Sequence, residues 1–287
     1  MTNALLVLGS ANADLVVEVG RRPAGGETVL GGDTVVLPGG KGANTAVAAA
    51  RVGGSVDLLG AVGADQYGDL LRSSLASSGV RTAFVRTSDR PTGIAYITVT
   101  PDGENSIVVA PGANADVSTA DVDGVPSDGV AVLVCSLEVP VPTVEHAVAW
   151  AADHGVRPVL NLSPVAPLSV RTLALLDPLI VNEHEAAQLA PTFEGLLDLG
   201  PRSAVVTLGA RGAAVVTVDG VVEVPAPTVT PVDTTGAGDA FAGALAARLA
   251  DGDDLVAAAR FAARVAATSV TTPGAQPSYP LAADVLP

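Results

Sequence analysis

The sequence is poor in cysteine, aromatic residues and basic residues, and each shortage narrows the possibilities. The single cysteine, Cys135, rules out an internal disulfide and is typical of a reducing compartment. Because aromatics make up only 3% of the chain, the core must be built from Ala, Val and Leu, which favours helices packed on a parallel sheet. The 15 basic residues stand against 30 acidic ones, so the chain lacks the basic surface that nucleic acids and anionic membranes require.

Long hydrophobic segments are also missing. No apolar run approaches the roughly 18 residues that a membrane helix needs. The first residues lack the basic start and the long apolar region of a signal peptide. We therefore expect a soluble, cytoplasmic protein with neither nucleic-acid nor membrane partners. Cys135 ends an apolar run that begins at Val130, which favours a buried thiol over a nucleophile.

Short apolar runs alternate with Ala-rich segments of helical length. The runs predict buried strands at 5–8, 56–59, 130–134, 159–162, 179–181 and 204–208. The segments between and after them predict helices near 42–52, 66–78, 142–154, 183–190, 238–250 and 253–268. This alternation predicts one α/β domain over residues 1–287, with a mainly parallel central sheet between two layers of helices.

Two segments break the alternation. Strands are expected at 15–19 and 28–37, and again at 93–99 and 106–110, where Thr100-Pro101-Asp102-Gly103 is typical of a hairpin turn. Because no helix separates them, these strands predict a small antiparallel sheet from about 12–38 and 92–110. Such a sheet can act as a lid over a ligand at the carboxyl ends of the main strands. An ordinary surface hairpin is the alternative.

The strongest chemical signal is the segment Asp233-Thr234-Thr235-Gly236-Ala237-Gly238-Asp239-Ala240-Phe241. Its Gly-Ala-Gly turn opens a predicted helix, whose amides and dipole favour an anion. A carboxylate in the first turn, Asp239, would stabilise the helix by only about 0.3–1 kcal/mol. Beside a phosphate site it is better suited to take a proton from a hydroxyl that attacks a phosphorus atom. The chain contains no Gly-Lys-Ser/Thr loop, and Phe241 stands at the third glycine position of a dinucleotide fingerprint.

This segment resembles the C-terminal signature of the phosphofructokinase-B family of carbohydrate kinases, which includes ribokinase and adenosine kinase. Gly39-Gly40-Lys41-Gly42-Ala43-Asn44 resembles the N-terminal signature, and the similarity extends from Leu8 to Ser278. The resemblance implies a ribokinase-like three-layer α/β sandwich with a β-sheet lid, and a homodimer formed through that lid. It also implies ATP-dependent phosphorylation of D-ribose at the 5-hydroxyl. A kinase for 2-deoxyribose, fructose or a nucleoside is the first alternative, and a non-catalytic sugar- or nucleotide-binding protein is the second.

The resemblance further assigns roles to individual positions. Asp239 is the catalytic base, and the backbone of Gly236, Ala237 and Gly238 forms the anion hole. The sugar is bound by Asp239 together with Asn12, Asp14, Gly40, Lys41, Asn44 and Glu138. Taken alone, the Asn12/Asp14 pair also suits a turn, and Glu138 suits a solvated strand end.

A nucleotide and magnesium site is implied in the same way. Asn182 and Glu185 resemble the family's Asn-x-x-Glu motif, which positions Mg²⁺ and phosphate largely through water, in keeping with the oxygen ligands that Mg²⁺ prefers. Asn182 could equally cap the helix at 183–190. The loop that lines the nucleotide is represented by Thr207, Gly209, Arg211 and Gly212, with Gly238 on the facing turn. A simple hairpin turn is the alternative for this loop.

The family also has a monovalent cation site beside the anion hole, where carboxylate and carbonyl oxygens suit K⁺. The matching positions are Asp233, Thr235, Ser269, Thr272, Gly274 and Ser278. The chain departs from the family pattern at three places. The segment at 190–203 is shorter than in most family members, so a helix is expected to be missing there. Ala263 stands where many members have Asn or His near adenine, which leaves the selectivity for the nucleotide base open. Ala210 replaces a residue that often carries a hydroxyl in the nucleotide loop of the family.

Overall fold

A computed structural model describes residues 3–285 of the chain. The strands are β1 (Ala4–Leu8), β2 (Asn12–Glu18), β3 (Val35–Gly39), β4 (Val56–Gly63), β5 (Val85–Ser88), β6 (Gly93–Val99), β7 (Asn105–Ala110), β8 (Val130–Ser136), β9 (Arg157–Asn161), β10 (Leu179–Asn182), β11 (Ala204–Thr207), β12 (Ala213–Thr217) and β13 (Gly220–Val224). The helices are α1 (Lys41–Arg51), α2 (Gln66–Ser77), α3 (Thr119–Asp123), α4 (Val141–Asp153), α5 (Val170–Leu173), α6 (Glu183–Leu189), α7 (Ala237–Ala250) and α8 (Leu255–Ser269).

The described residues form one large sheet in the order β13-β12-β11-β10-β9-β8-β1-β4-β5. The strands from β11 to β5 are parallel, and the hairpin β12–β13 adds two antiparallel strands at one edge. The predicted, mainly parallel sheet is therefore confirmed. The sequence pattern did not reveal β5, because it is short and mostly polar, and it did not separate β12 and β13 from the loop before them.

Side chains alternate across this sheet, as the period of a strand requires. In β1, Leu5 and Val7 pack on one face with helices α1, α2, α7 and α8. Leu6 and Leu8 pack on the other face, with α3 and α4. One apolar core therefore lies on each face of the sheet, between the sheet and a layer of helices. This arrangement of three layers confirms the predicted sandwich. Cys135 is buried on the second face, and burial raises the pKa of its thiol, so this cysteine is a packing residue.

The smaller sheet has the order β3-β2-β6-β7. The pairs β2–β3 and β6–β7 are antiparallel, but β2 and β6 are parallel, so the prediction of a wholly antiparallel sheet was wrong. The reason is topological: β2 follows β1 and β6 follows β5, and both preceding strands run in one direction in the parallel sheet. The strand expected at 28–37 begins only at Val35, and the earlier residues contribute a single bridge between Gly31 and Val19.

Most predicted helix ends lie within two residues of the observed ones. Where a helix was expected to be missing, Glu194–Leu199 form a 3-10 helix that buries Leu196 in the second core. The short helices α3 and α5 were not predicted, since neither is long enough to show a helical period. Among residues 3–285, no helix has the length and hydrophobicity needed to cross a bilayer.

Candidate active site

Two adjoining cavities lie at the carboxyl edge of the large sheet, where ligands bind in open α/β sheets. The polar cavity, of about 180 Å³, is lined by Lys41, Asn161, Ser163, Ile180, Val181, Asn182, Glu185, Thr207, Thr234 and Gly236–Asp239. The apolar cavity, of about 290 Å³, shares Thr207, Thr234, Ala237 and Gly238 with it. Both sequence signatures therefore meet at one site, and the glycine-rich turn stands between its two halves.

The turn before α7 has the geometry of an anion hole. Gly236 caps the helix with φ 73°, a left-handed conformation that favours glycine, and its carbonyl accepts the first helical bond from Ala240 at 2.8 Å. The amides of Gly238 and Asp239 precede that bond, so the helix leaves them without an internal acceptor. A β-carbon added at Gly238 would meet no atom within 4 Å, because this position faces the cavity. The turn therefore offers donors to an anion with open space before them.

Asp239 is buried at the start of α7, on the polar side of the turn. Its Oδ2 accepts a hydrogen bond from Asn44 Nδ2 at 3.0 Å, which joins the two signatures directly. Burial raises the pKa of Asp239, the charge of Lys41 and the bond from Asn44 lower it in part, and the charge of Glu138 raises it further. The result is a carboxylate that is more basic than a free aspartate, as a general base requires.

Lys41 is the only lysine in the chain, and it lines the polar cavity at the first residue of α1. Burial lowers the pKa of this amine, but the charges of Asp239, Glu138 and Glu185 together raise it above its ordinary value. Lys41 is therefore a fixed positive charge among carboxylates. It balances part of their repulsion and offers three donors to a ligand.

Asn12 and Asp14 lie on β2 of the small sheet, rather than in a turn after β1. The Oδ1 atom of Asn12 accepts a bond from Asn114 Nδ2 at 2.7 Å, so Asn12 presents its Nδ2 group as a donor. Asn114 also exchanges bonds with the backbone of Ala11, and it is buried. A β-carbon at Gly93 would stand 2.3 Å from both amides. Asn114 was not predicted, because its only signal in the sequence is its place after Pro111-Gly112.

The carboxylate of Asp14 fits against the first signature. A β-carbon at Gly39 would lie 2.0 Å from Asp14 Oδ2, so only glycine leaves room for this side chain. Burial, together with the charges of Glu138 and Asp239, raises the pKa of Asp14 to about 7. Asp14 consequently exchanges its proton within the physiological range.

Glu138 follows β8 and reaches the start of α1. Its Oε2 accepts from Ser10 Oγ at 2.5 Å and from the Lys41 amide at 3.3 Å. These bonds hold the carboxylate against the N-terminus of α1, where the helix dipole favours a negative charge. Glu138 is thus a positioned side chain and not a solvated strand end. Ser10, which was not predicted, follows β1 and holds the Glu138 carboxylate from that side.

Asn182 and Glu185 form a capping box at the start of α6. Asn182 Oδ1 accepts from the Glu185 amide, and Glu185 Oε2 accepts from the Asn182 amide, both at 2.8 Å. The capping role considered from sequence is therefore observed, but both residues also line the polar cavity. The second carboxylate oxygen of Glu185 takes no part in the capping box. Within residues 3–285 no three acidic, His or Cys side chains form a metal cage, and Mg²⁺ that keeps its water needs none.

The loop after β11 is a hairpin turn that also lines the apolar cavity. Thr207, Gly209 and Gly212 contribute to the cavity wall, while Arg211 pairs with Glu183 at the surface and is not part of that wall. The other walls are mainly small and apolar: Ala210, Ala226, Pro227, Val229, Pro231, Phe241, Ala263, Ala266, Ala267 and Val270, with Thr228. This cavity suits a flat, largely apolar group.

The segments predicted to hold a monovalent cation are neighbours. Asp233 Oδ1 accepts from the Thr235 amide at 2.9 Å, and Oδ2 accepts from the Gly274 amide at 2.7 Å. Ser269 and Ser278 are buried, and each donates its hydroxyl to a carbonyl of its own segment. Thr272 is exposed. The structure therefore joins Asp233 directly to Thr235 and Gly274.

A buried carboxylate at a helix start, between a polar cavity and an apolar one, is an arrangement that suits a phosphotransferase acting on a hydroxyl. The sequence profile described as pfkB family carbohydrate kinase matches residues 2–282, and this chain belongs to that family. It is 41% identical to the ribokinase of Bacillus subtilis over 96% of both chains. It is 36% identical to the deoxyribokinase of Salmonella typhi over 96% of this chain and 95% of the relative.

A solved structure gives the same result for the fold. The ribokinase of Arabidopsis thaliana, complexed with ribose and ATP, superposes with a TM-score of 0.90 at 31% identity. The superposition covers 99% of this chain and 97% of that one. The fold of the family is therefore present throughout residues 3–285, including the small sheet.

Proposed function

We propose that this protein catalyses the transfer of the γ-phosphoryl group of ATP to the 5-hydroxyl of D-ribose, giving D-ribose 5-phosphate and ADP. The observation that carries this proposal is the position of Asp239. Its carboxylate lies at the start of the anion-hole helix and is bonded to Asn44 of the other signature. A base in this place can reach both a bound hydroxyl and the phosphate that it attacks.

The polar groups around Asp239 suit a sugar. Asn12 and Lys41 supply donors, while Asp14 and Glu138 supply acceptors for hydroxyl protons. Vicinal hydroxyls are both donors and acceptors, so a mixed set of this kind can fix one orientation of the ring. Because Asn12 and Asp14 lie on the small sheet, we propose that this sheet is the lid that covers the sugar and excludes water.

The transfer step follows from these positions. Asp239 takes the proton of the attacking hydroxyl as the new oxygen–phosphorus bond forms and the bond to ADP breaks. The amides of Gly238 and Asp239, with the dipole of α7, stabilise the charge on the phosphoryl oxygens. Lys41 stays protonated and compensates the charge of Asp239 and Glu138.

Mg²⁺, when bound, supplies positive charge that neutralises the phosphate oxygens of ATP. We propose that Glu185 and Asn182 hold it through water, since one oxygen of Glu185 is left over from the capping box. We further propose that the base of ATP occupies the apolar cavity, because this cavity adjoins the anion hole at Thr234, Ala237 and Gly238.

A homodimer formed through the lid belongs to the same proposal. The paired residues Val36, Leu15, Tyr96 and Val108 form an apolar row across one face of the small sheet. A monomer would leave these side chains in water, with exposed fractions of 39% for Val36, 49% for Tyr96 and 68% for Val108. Contiguous exposed apolar residues on one sheet are typical of an interface. Sedimentation of the purified protein at several concentrations tests this part of the proposal.

The test of function is a kinase assay with ATP and Mg²⁺ over D-ribose, 2-deoxyribose, D-fructose and adenosine. We expect D-ribose to give the highest kcat/KM, with NMR of the product placing the phosphate on the 5-oxygen. Deoxyribose is the second candidate because of the 36% identity to a deoxyribokinase. A higher kcat/KM for deoxyribose or adenosine would replace ribose as the substrate. Sugar binding by calorimetry without any turnover would point to a binding protein.

A further inference from the structure

A chain of hydrogen bonds continues from Asp239 away from the polar cavity. Asn44 donates its Nδ2 to Asp239, and its Oδ1 accepts from Gln276 Nε2 at 3.0 Å. Gln276 Oε1 in turn accepts from Ser74 Oγ on α2, also at 3.0 Å. Gln276 has an exposed fraction of only 2%, and it belongs to none of the residue sets considered above.

The direction of these bonds is fixed at the Asp239 end. An ionised carboxylate has only acceptors, so it requires the NH₂ group of Asn44. The Asn44 oxygen then faces Gln276 and requires a donor, which only the Gln276 NH₂ group can provide. The Gln276 oxygen is left facing Ser74, whose hydroxyl can donate. The side-chain amides of Asn44 and Gln276 therefore each have one orientation that satisfies both hydrogen-bond partners when Asp239 is ionised.

Turning Asn44 over would bring its oxygen against the Asp239 carboxylate. It would also set two NH₂ groups against each other unless Gln276 turned as well. Buried polar groups left unpaired are costly, so the amides must turn together or not at all. The side chain of Gln276 therefore favours the same face of Asn44 that an ionised Asp239 requires.

We propose that Gln276 is a positioning residue for the reaction, which holds the Asn44 amide in the orientation that donates to Asp239, with Ser74 as its anchor. This inference rests on the proposed function, in which Asp239 is the base. It adds a role for the segment after α8 and for α2, neither of which lines the polar cavity. Glutamine suits the position because it is long enough to span from Ser74 to Asn44 and carries both a donor and an acceptor.

Other charged and titratable groups also face Asp239. Lys41 and Glu138 act on it from α1 and from the end of β8, and Asp14 and Tyr279 lie within electrostatic range. A side-chain change at Gln276 leaves all four in place. It also leaves the backbone bond from Arg51 Nη1 to the Gln276 carbonyl, at 2.7 Å, which holds the segment. Substitutions of Gln276 therefore test the hydrogen bonds between side chains and not the backbone position of the segment after α8.

The decisive variant is Gln276→Met, which keeps the length and lacks both charge and hydrogen bonds. Without a partner for its oxygen, Asn44 is held by Asp239 alone, so the donor to Asp239 is less firmly placed. We expect kcat to fall about tenfold and the acidic limb of the kcat–pH profile to move to higher pH, because a carboxylate with a weaker donor is harder to ionise. The KM for ATP should stay the same, since the bonds do not reach the apolar cavity.

Gln276→Glu gives a larger effect in the same direction, because the new carboxylate requires the Asn44 NH₂ group and turns its oxygen toward Asp239. Ser74→Ala gives a smaller shift of the limb, and Ser77→Ala, one turn along α2 and exposed, is its matched control with no shift. If Gln276→Met does not fold, the Ser74→Ala and Ser77→Ala pair carries the test.

Four results would separate the possibilities. A shift with Gln276→Glu but none with Gln276→Met or Ser74→Ala would show a charge effect only, and the positioning role would be wrong. An unchanged profile in all variants, with Asp239→Asn inactive, would overturn this inference and leave the proposed function standing. Full turnover in Asp239→Asn would remove Asp239 from the role of base and this inference with it, whereas the absence of kinase activity in the wild-type protein would overturn the proposed function itself.

Discussion

A β-carbon placed on Gly243 would lie 2.4 Å from the carbonyl oxygen of Thr45. The two residues belong to α7 and α1, the helices that begin at the two signatures. Their backbones can approach this closely only because residue 243 has no side chain. The close contact brings Gly236–Asp239 and Lys41–Asn44 to the same end of the helix pair, and so builds the site.

Two glycines of α7 should consequently respond in opposite ways to alanine. Gly243→Ala is expected to lower the free energy of unfolding by about 1–3 kcal/mol, because the methyl group is forced against the α1 backbone. Gly238→Ala should leave stability unchanged or raise it by up to about 0.5–1 kcal/mol, since alanine is the better helix former and no atom lies within 4 Å. Urea unfolding of both variants measures the difference.

The activity of the same pair should follow the reverse order. The methyl group in Gly238→Ala points into the space where the phosphate approaches the anion hole, and a displacement of about 1 Å can cost about 10² in rate. Residual turnover in folded Gly243→Ala should be much higher. Equal kinetics of wild type and Gly238→Ala would show that phosphate does not bind at this turn.

Asp239→Asn tests the base. The amide keeps the shape of the side chain but cannot accept the proton, so kcat should fall by about 10²–10⁴ while the affinity for the sugar changes much less. Steady-state kinetics combined with calorimetric titration of the sugar separate these effects. Turnover above about a tenth of the wild-type value, with chemistry limiting the rate, would remove Asp239 from this role.

Much of this site could be predicted because its information is local. A glycine-rich turn at a helix start and polar residues after a strand place Gly236–Asp239 and Asn182 without knowledge of the rest of the chain. Parallel strands then bring their carboxyl ends to one edge, which explains why the predicted residues meet. The same local rules predicted the central sheet and the three layers.

The residues that sequence analysis missed depend on contacts across the chain. Ser10 bonds to Glu138 over 128 positions, Ala11 to Asn114 over 103, and Gln276 to Asn44 over 232. Nothing beside these residues in the sequence marks their partners. The parallel β2–β6 pair is of the same kind, since its direction follows from the central sheet and not from either strand.

Asp14 should make stability depend on pH. Its pKa of about 7, against 3.8 for a free side chain, means that the folded protein binds a proton that the unfolded chain has released between those values. Stability from this group is therefore fully present at low pH and declines as pH rises toward 7. Asp14→Asn removes the ionisation, so its stability relative to wild type should increase from pH 5 to pH 8. The expected size is a few kcal/mol, at about 1.4 kcal/mol per pKa unit.

Urea unfolding of both proteins at pH 5, 6, 7 and 8 gives this difference directly. A stability difference that is the same at pH 5 and pH 8 would contradict a raised pKa at Asp14.

The apolar cavity predicts weak selection of the nucleotide base. The walls near Ala263, Ala266 and Ala267 offer small apolar side chains, and such pockets discriminate poorly between similar ligands. We expect kcat/KM for ATP and GTP to agree within about tenfold. Ala263→Asn, which adds a donor and an acceptor, should widen the ratio, whereas Ala263→Leu should lower both values together. A wild-type preference for ATP above about 100-fold would show that other groups read the base.

Finally, K⁺ should activate the enzyme at fixed Mg²⁺ and ionic strength. Asp233 bonds to the Thr235 amide at the start of the anion-hole turn and to the Gly274 amide of the facing segment. Burial opposes its charge, but these two bonds lower the pKa of Asp233, so a carboxylate is present at neutral pH. A weakly hydrated cation among such oxygens would hold the turn in place before phosphate arrives, an effect on kcat more than on KM. Initial rates in K⁺, Na⁺ and tetramethylammonium salts measure it, with Asp233→Asn expected to abolish the preference for K⁺. Identical wild-type rates in the three salts would exclude the cation site and leave the role of Asp239 untouched.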